Sequence, residues 1–196
     1  MSYRVYDTNA IVVRHWPYRE ASTRFWLYTR DLGRILARAQ SIRKVTSKLA
    51  GGLQTGSRSE VELVCGKAGW RVVGCQPGTN YLLCTSAHQQ QIISRFFRLL
   101  NQLVPDQQHD PYLYQIISAG LMAVKNSTDT AEQKAQEKLL VLRTLVQLGY
   151  APDPDAAALE PFIYSADYGA SVISSFQPHV LAAVGQINQS LKTIQL

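Results

Sequence analysis

The chain has 196 residues, 46% of them hydrophobic and 17% charged, which is apolar material enough for packed cores and too much for a disordered chain. Its formal charge of +6 is unevenly spread: residues 1–80 carry 13 Lys and Arg against 5 Asp and Glu, a net of +8, whereas residues 81–196 carry 7 against 9, a net of −2. No run of eighteen apolar residues and no hydrophobic leader is present, so the expectation is a cytoplasmic protein, not a membrane-spanning or secreted one, whose basic half meets a polyanion.

In chain order, Tyr3 to Arg14 reads as a long strand that Pro17 ends, because proline donates no ladder bond and restricts Trp16 before it. Ser22 to Thr29 alternates, with Thr23, Phe25 and Leu27 opposite Arg24, Trp26 and Tyr28. The turn Asp31-Leu32-Gly33 leads into a third strand with Ile35, Ala37 and Ala39 on one face and Arg34, Leu36, Arg38 and Gln40 on the other. From Ser41 to Leu49 the spacing becomes helical and carries Arg43, Lys44 and Lys48. Ser59 to Cys65 and Trp70 to Cys75 then form a second hairpin about Gly66-Lys67-Ala68-Gly69. Five short strands with one short helix between the third and fourth match the five-stranded Greek-key barrel called the OB-fold.

Beyond Tyr81 the hydrophobic period changes to that of a helix. Ser86 and Gln89 have capping-box spacing, and Ile92, Ile93, Phe96, Phe97, Leu99, Leu100, Leu103 and Val104 form a stripe that Pro105 stops. Asp110-Pro111 opens the next helix, through Leu113, Ile116, Ile117, Leu121 and Val124. A third starts near Thr130, with Gln133 placed for a capping box, and runs through Leu139, Leu142, Leu145 and Val146 to Gly149. Residues 150–175 hold three prolines and no sustained period, and read as an ordered excursion with a small hairpin around Phe162 to Val172. A last helix spans about Pro178 to Ile194. The fold class is therefore α+β: an N-terminal OB-fold β-barrel over residues 1–80 and a C-terminal helical bundle over residues 81–196.

Catalytic chemistry finds little support. His15, His88, His109 and His179 are scattered without Cys, Asp or Glu at metal or triad spacing, and Gly51-Gly52 with Gly56 lacks the lysine of a phosphate loop. Cys65, Cys75 and Cys84 fit neither a metal knuckle nor an even disulfide set, and their strand-like surroundings predict buried free thiols. No metal, no cofactor and no enzyme activity are expected. Binding is a different matter. Arg14, Arg19, Arg24, Arg34, Arg38, Arg43, Lys44 and Lys48 are interleaved with Trp16, Tyr18, Trp26 and Tyr28, which supplies cations for phosphates and aromatic faces for unstacked bases.

Four stretches carry a family resemblance: AIVVRHWPYRE (Ala10 to Glu20), LYTRDLGRILARAQSIRK (Leu27 to Lys44), SKLAGGLQ (Ser47 to Gln54) with the VEL that follows (Val61 to Leu63), and LGYAPD (Leu148 to Asp153). In this order they resemble the bacterial recombination mediator RecO, a family of DNA repair proteins. The resemblance implies an N-terminal OB-fold, a helical domain, binding to single- and double-stranded DNA, and annealing of complementary strands. It also implies partnership with RecR and single-stranded DNA-binding protein in loading RecA, and a nucleoid-associated place in the cytoplasm. Arg19 stands where the family has glycine, and Gln40-Ser41 where it has Lys-Gly. The cysteines that hold zinc in many relatives have no counterpart between Gly149 and Val172, so Pro161 to Val172 is expected to be held by packing alone. For the acidic C-terminal tail of single-stranded DNA-binding protein, Lys138 and Arg143 are the expected cations flanking a groove. The competing reading is a protein-interaction scaffold, or an RNA-binding barrel without annealing activity.

Overall fold

The computed structural model describes residues 4–18, 20–42, 47, 49–150 and 158–194. The chain divides into two compact units, Met1–Thr85 with Phe97–Pro111, and Ser86–Phe96 with Tyr112–Leu196. In the first, β1 (Val5–Tyr18), β2 (Ser22–Thr29), β3 (Gly33–Ala39), β4 (Arg58–Gly66) and β5 (Gly69–Gln76) close into a barrel in the order β1-β2-β3-β5-β4. Only the β3–β5 pairing is parallel. This is the barrel that the alternating pattern predicts. Ala10, Val12, Phe25, Leu27, Ile35, Ala37, Val61, Leu63 and Val72 fill its interior.

Strand β1 runs four residues past Arg14, through Pro17, where the sequence suggests a break. Pairing with β4 stops at Ile11↔Arg58, so Pro17 meets a neighbour on the β2 side alone, and its missing donor costs little there. A bulge between Val12 and Arg14 shifts the register by one residue. Because a one-residue shift turns side chains to the other face, Ala10 and Val12 point inward before it while Arg14 and Trp16 fall outward after it, in line with Trp26 and Arg24. The short helix expected over Ser41 to Leu49 falls largely on residues 43–46 and 48, outside those described.

The far edge of β3 is organised by residues 101–108. Gly33 has φ +67, and a Cβ there would lie 2.1 Å from the Gln108 carbonyl oxygen, so both its conformation and its neighbour require glycine. Gln107 N–H donates to the Arg34 carbonyl at 2.9 Å, and Arg34 bridges to Asp106 as a parallel strand would.

The second unit is helical, and it holds the start of helix α1 (Ala87–Leu103), whose residues from Phe97 on belong to the first. Helix α1 begins with the expected reciprocal box: Ser86 N–H donates to Gln89 Oε1 at 2.7 Å, and Gln89 N–H to Ser86 Oγ at 3.2 Å. Leu113, Ile116, Ile117, Leu121 and Val124 of α2 (Pro111–Asn126) are buried as their spacing suggests. The cap of α3 (Thr130–Gln147) is Asp129, which accepts from Ala131 N–H and Glu132 N–H. Gln133 instead donates to the Ser127 carbonyl at 2.8 Å, so the box expected at Thr130 does not form. Nor does the hairpin around Phe162 to Val172. Two short helices, α4 (Glu160–Ile163) and α5 (Ala170–Phe176), occupy it, with Pro161 at the first turn of α4 and the Phe162 and Phe176 rings 5.3 Å apart. A 3-10 turn (Gln177–His179) leads into α6 (Val180–Thr193).

The cysteines also depart from expectation. Cys65 and Cys84 are exposed, Cys75 is half-buried, and Cys84 lies outside the strands. Burial pushes the Cys75 thiol above its usual range, with the Ser59 hydroxyl opposing that shift. No described helix is long and apolar enough to cross a membrane.

Candidate nucleic-acid interface

The outer face of β1, β2, β3 and β5 carries two cross-strand rows. In one, Trp16 pairs with Arg24, Arg24 with Arg38, and Arg38 with Arg71. In the next, Arg14 pairs with Trp26 and Trp26 with Leu36. Strands are spaced by roughly 4.8 Å, so three guanidinium groups leave the backbone within about 10 Å of one another. Like charges directly opposed on a sheet are destabilising. None of the ion pairs among the described residues relieves them, since Arg14, Arg24, Arg38 and Arg71 are absent from all three. Arg38 Nε is buried and has no hydrogen-bond partner among the described residues. A surplus of aligned, unneutralised donors is suited to an external anion.

Aromatic rings organise these cations. The Arg24 guanidinium lies 3.8 Å from the Tyr18 ring centroid, Arg14 5.8 Å from Trp16, and Arg34 4.6 Å from Trp26. Trp16 and Trp26 are 6.3 Å apart and tilted by 52°. Stacking on a ring fixes the plane of a guanidinium while leaving its N–H edge available. Trp16, Tyr18 and Trp26 are half-buried and Leu36 is exposed, so the face alternates charge with flat or apolar surface.

Of the residues read from the sequence, Arg14, Arg24, Arg38 and Trp26 come together on this face. Arg34 and Tyr28 take other roles. The Arg34 Nε donates to Asp106 Oδ1 at 2.8 Å and its Nη1 to the Asn101 carbonyl, so its donors are committed within the unit. Tyr28, opposite Arg34 in the β2–β3 register, is 1% exposed, and its ring offers no stacking face. Arg19, Arg43, Lys44 and Lys48 lie outside the described residues. Arg71 escaped the sequence reading. The inward Val72 beside it signals its outward direction, but only the parallel register of β3 and β5 brings it to Arg38.

The cations expected to flank a groove in the helical unit are not brought together. Arg143 is 1% exposed and donates from Nε to the Phe162 carbonyl and from Nη1 to the Asp167 carbonyl, both at 2.7 Å. It also lies 4.5 Å from the Tyr168 ring centroid, where burial pushes the phenol above its usual range and the Arg143 charge partly offsets that. The segment around Phe162 to Tyr168 is therefore held by a buried guanidinium as well as by packing. Lys138 is bonded to Glu137 at 3.2 Å, which Arg95 also meets at 3.0 Å. Among the described residues no group of three or more His, Cys, Asp or Glu gathers as a metal site would require.

Residues 1–69 match the family described as recombination protein O N terminal. Among curated relatives, a DNA repair protein RecO of Dehalococcoides mccartyi is 32% identical over 149 residues, covering 76% of this chain and 58% of the relative. A DNA repair protein RecO of Heliobacterium modesticaldum is 30% identical over 156 residues, covering 76% of this chain and 54% of the relative. The matched stretch thus spans little more than half the length of these relatives. Over residues 1–69 the chain thus matches the N-terminal domain of the RecO family, and over 76% of its length it is similar to proteins named RecO.

Proposed function

We propose that this protein is a non-catalytic DNA-binding and strand-annealing mediator of recombinational repair, and that its barrel face holds the DNA backbone. The observation that carries this reading is the unneutralised row Arg24-Arg38-Arg71, edged by Trp16 and lying beside Trp26 and Leu36. The relatives named as DNA repair proteins support it. Arginines on phosphates and flat side chains against base faces leave the Watson–Crick edges of a single strand turned to solvent. Cations on the backbone also reduce the repulsion between two approaching strands. Together these effects favour pairing without any bond being made or broken. The family resemblance extends the proposal to RecR, single-stranded DNA-binding protein and, through them, RecA.

Titration of a labelled single strand at several salt concentrations tests this. If Arg14, Arg24, Arg38 and Arg71 each neutralise one phosphate, the log–log slope is roughly −3. Changing Arg24, Arg38 and Arg71 together to Ala flattens it by about 2 and weakens binding to all sequences alike. Unaltered affinity and slope in a folded triple variant would mean that DNA binds elsewhere.

A further inference from the structure

The helical unit contains a second polar feature that the DNA-binding face does not involve. A cleft of about 340 Å³ opens where α2 ends and α3 begins, lined by Asn126, Ser127, Thr128, Glu132, Gln136 and Tyr168 among others. Both helix ends beside it are already answered: Gln89 Nε2 donates to the Val124, Lys125 and Ser127 carbonyls at the end of α2, and the Asp129 carboxylate accepts from Ala131 N–H and Glu132 N–H at the start of α3.

Two side chains define what the cleft lacks. The Glu132 carboxylate accepts from Ser127 Oγ at 2.7 Å and from Gln136 Nε2 at 3.3 Å, and none of the ion pairs among the described residues reaches it. Gln136 is 2% exposed. Its amide orientation follows from the bond to Glu132, since the reverse placement would set two acceptors against each other. That leaves Gln136 Oε1 buried without a partner among the described residues. A carboxylate with no counter-cation and a buried carbonyl with no donor sit four residues apart on one helix face.

We propose that this cleft is a receptor for a single cationic donor group, the guanidinium or ammonium head of a basic side chain or of a free alkylamine. Its charge would pair with Glu132 and one of its N–H groups would satisfy Gln136 Oε1. Anionic ligands are disfavoured by Glu132, and neutral apolar ones by the polar lining.

The test uses the full chain, labelled with ¹⁵N, titrated with agmatine, with N-acetylarginine amide, with a short Arg-containing peptide, and with N-acetylglutamine amide as an uncharged control. Saturable shifts at Ser127, Glu132 and Gln136 with the cationic probes and none with the control are expected. Glu132→Gln lets its amide oxygen accept from Gln136 and its amide nitrogen donate to Ser127 Oγ, so the bond to Ser127 is kept with its direction reversed while the charge is removed, and it weakens binding about tenfold or more. Gln136→Met removes the orphaned acceptor, weakens binding and raises the melting temperature. Tighter binding of the peptide than of agmatine assigns the cleft to a protein partner, and equal binding assigns it to a free amine. Absence of saturable shifts, or shifts indifferent to Glu132→Gln, would overturn the proposal. Affinity for single-stranded DNA is unchanged in both variants, which separates this result from any concerning the barrel face.

Discussion

In the barrel, the Arg24 guanidinium lies 3.8 Å from the centre of the Tyr18 ring, half-buried at a surface where no carboxylate among the described residues pairs with it. In the helical unit, Arg143 lies 4.5 Å from the centre of the Tyr168 ring, but it is 1% exposed and two of its nitrogens donate to main-chain carbonyls. The same cation–aromatic pair thus serves opposite ends. Where the N–H groups are taken up internally the arginine is a strut, and where they are left over the arginine is available to a ligand. Arg95 and Lys138, both on Glu137, fall with Arg143, and Arg14, Arg38 and Arg71 fall with Arg24.

Three substitutions probe that division. Arg143→Ala strips donors from the Phe162 and Asp167 carbonyls and leaves a void, so chemical denaturation is expected to show a loss of roughly 3 kcal/mol with DNA affinity unchanged. Retained stability with lost DNA binding would reverse the assignment of the two regions. Arg34 is the intermediate case, a barrel residue stacked on Trp26 whose donors go to Asp106 and Asn101. Because Asp106 is largely exposed, Arg34→Ala should cost only about 1 kcal/mol and leave the salt dependence of DNA binding as it was. A slope flatter by about 0.7 would instead move Arg34 into the ligand-facing group. The smallest effect is expected for Arg38→Gln, which relieves repulsion from Arg24 and Arg71 and should raise stability by roughly 0.2–1 kcal/mol while weakening DNA binding. A fall in melting temperature would show that Arg38 is held by attractions stronger than that repulsion.

Much of this division can be read from residue order, because side-chain direction has a period of two in a strand. Phe25 and Leu27 alternate with Arg24 and Trp26, and Ile35, Ala37 and Ala39 with Arg34, Leu36 and Arg38, and the structure buries the first set in each strand. What period alone cannot supply is register between distant strands, hence Arg71, and the effect of a bulge, hence the outward turn of Arg14 and Trp16. Arg143 is a different kind of miss, for which a signal exists. It sits four residues after Leu139 and one after Leu142, within the apolar stripe of α3, so helical spacing already points it inward. Its positive charge argued for solvent, whereas the two carbonyls that hold it come from residues 19 and 24 positions further along the chain. The short helices at Glu160–Ile163 and Ala170–Phe176 were illegible for a related reason, being too brief to establish a period.

The bridge between Arg34 and Asp106 bears on how the protein survives at high concentration. Strand β3 meets β5 over Ala37 and Arg38 only, so without another neighbour its first half would present free N–H and C=O groups to any passing chain. An open strand edge of that kind is a template for intermolecular pairing. The segment from Asp106 to Gln108 lies along it, with Gln107 donating to the Arg34 carbonyl and Gln108 pressed against Gly33. A stretch that follows α1 and adds nothing to the interior of the barrel thereby acts as its guard against aggregation. Cutting the chain at the end of the fifth strand would yield a barrel that keeps its arginines and loses its solubility.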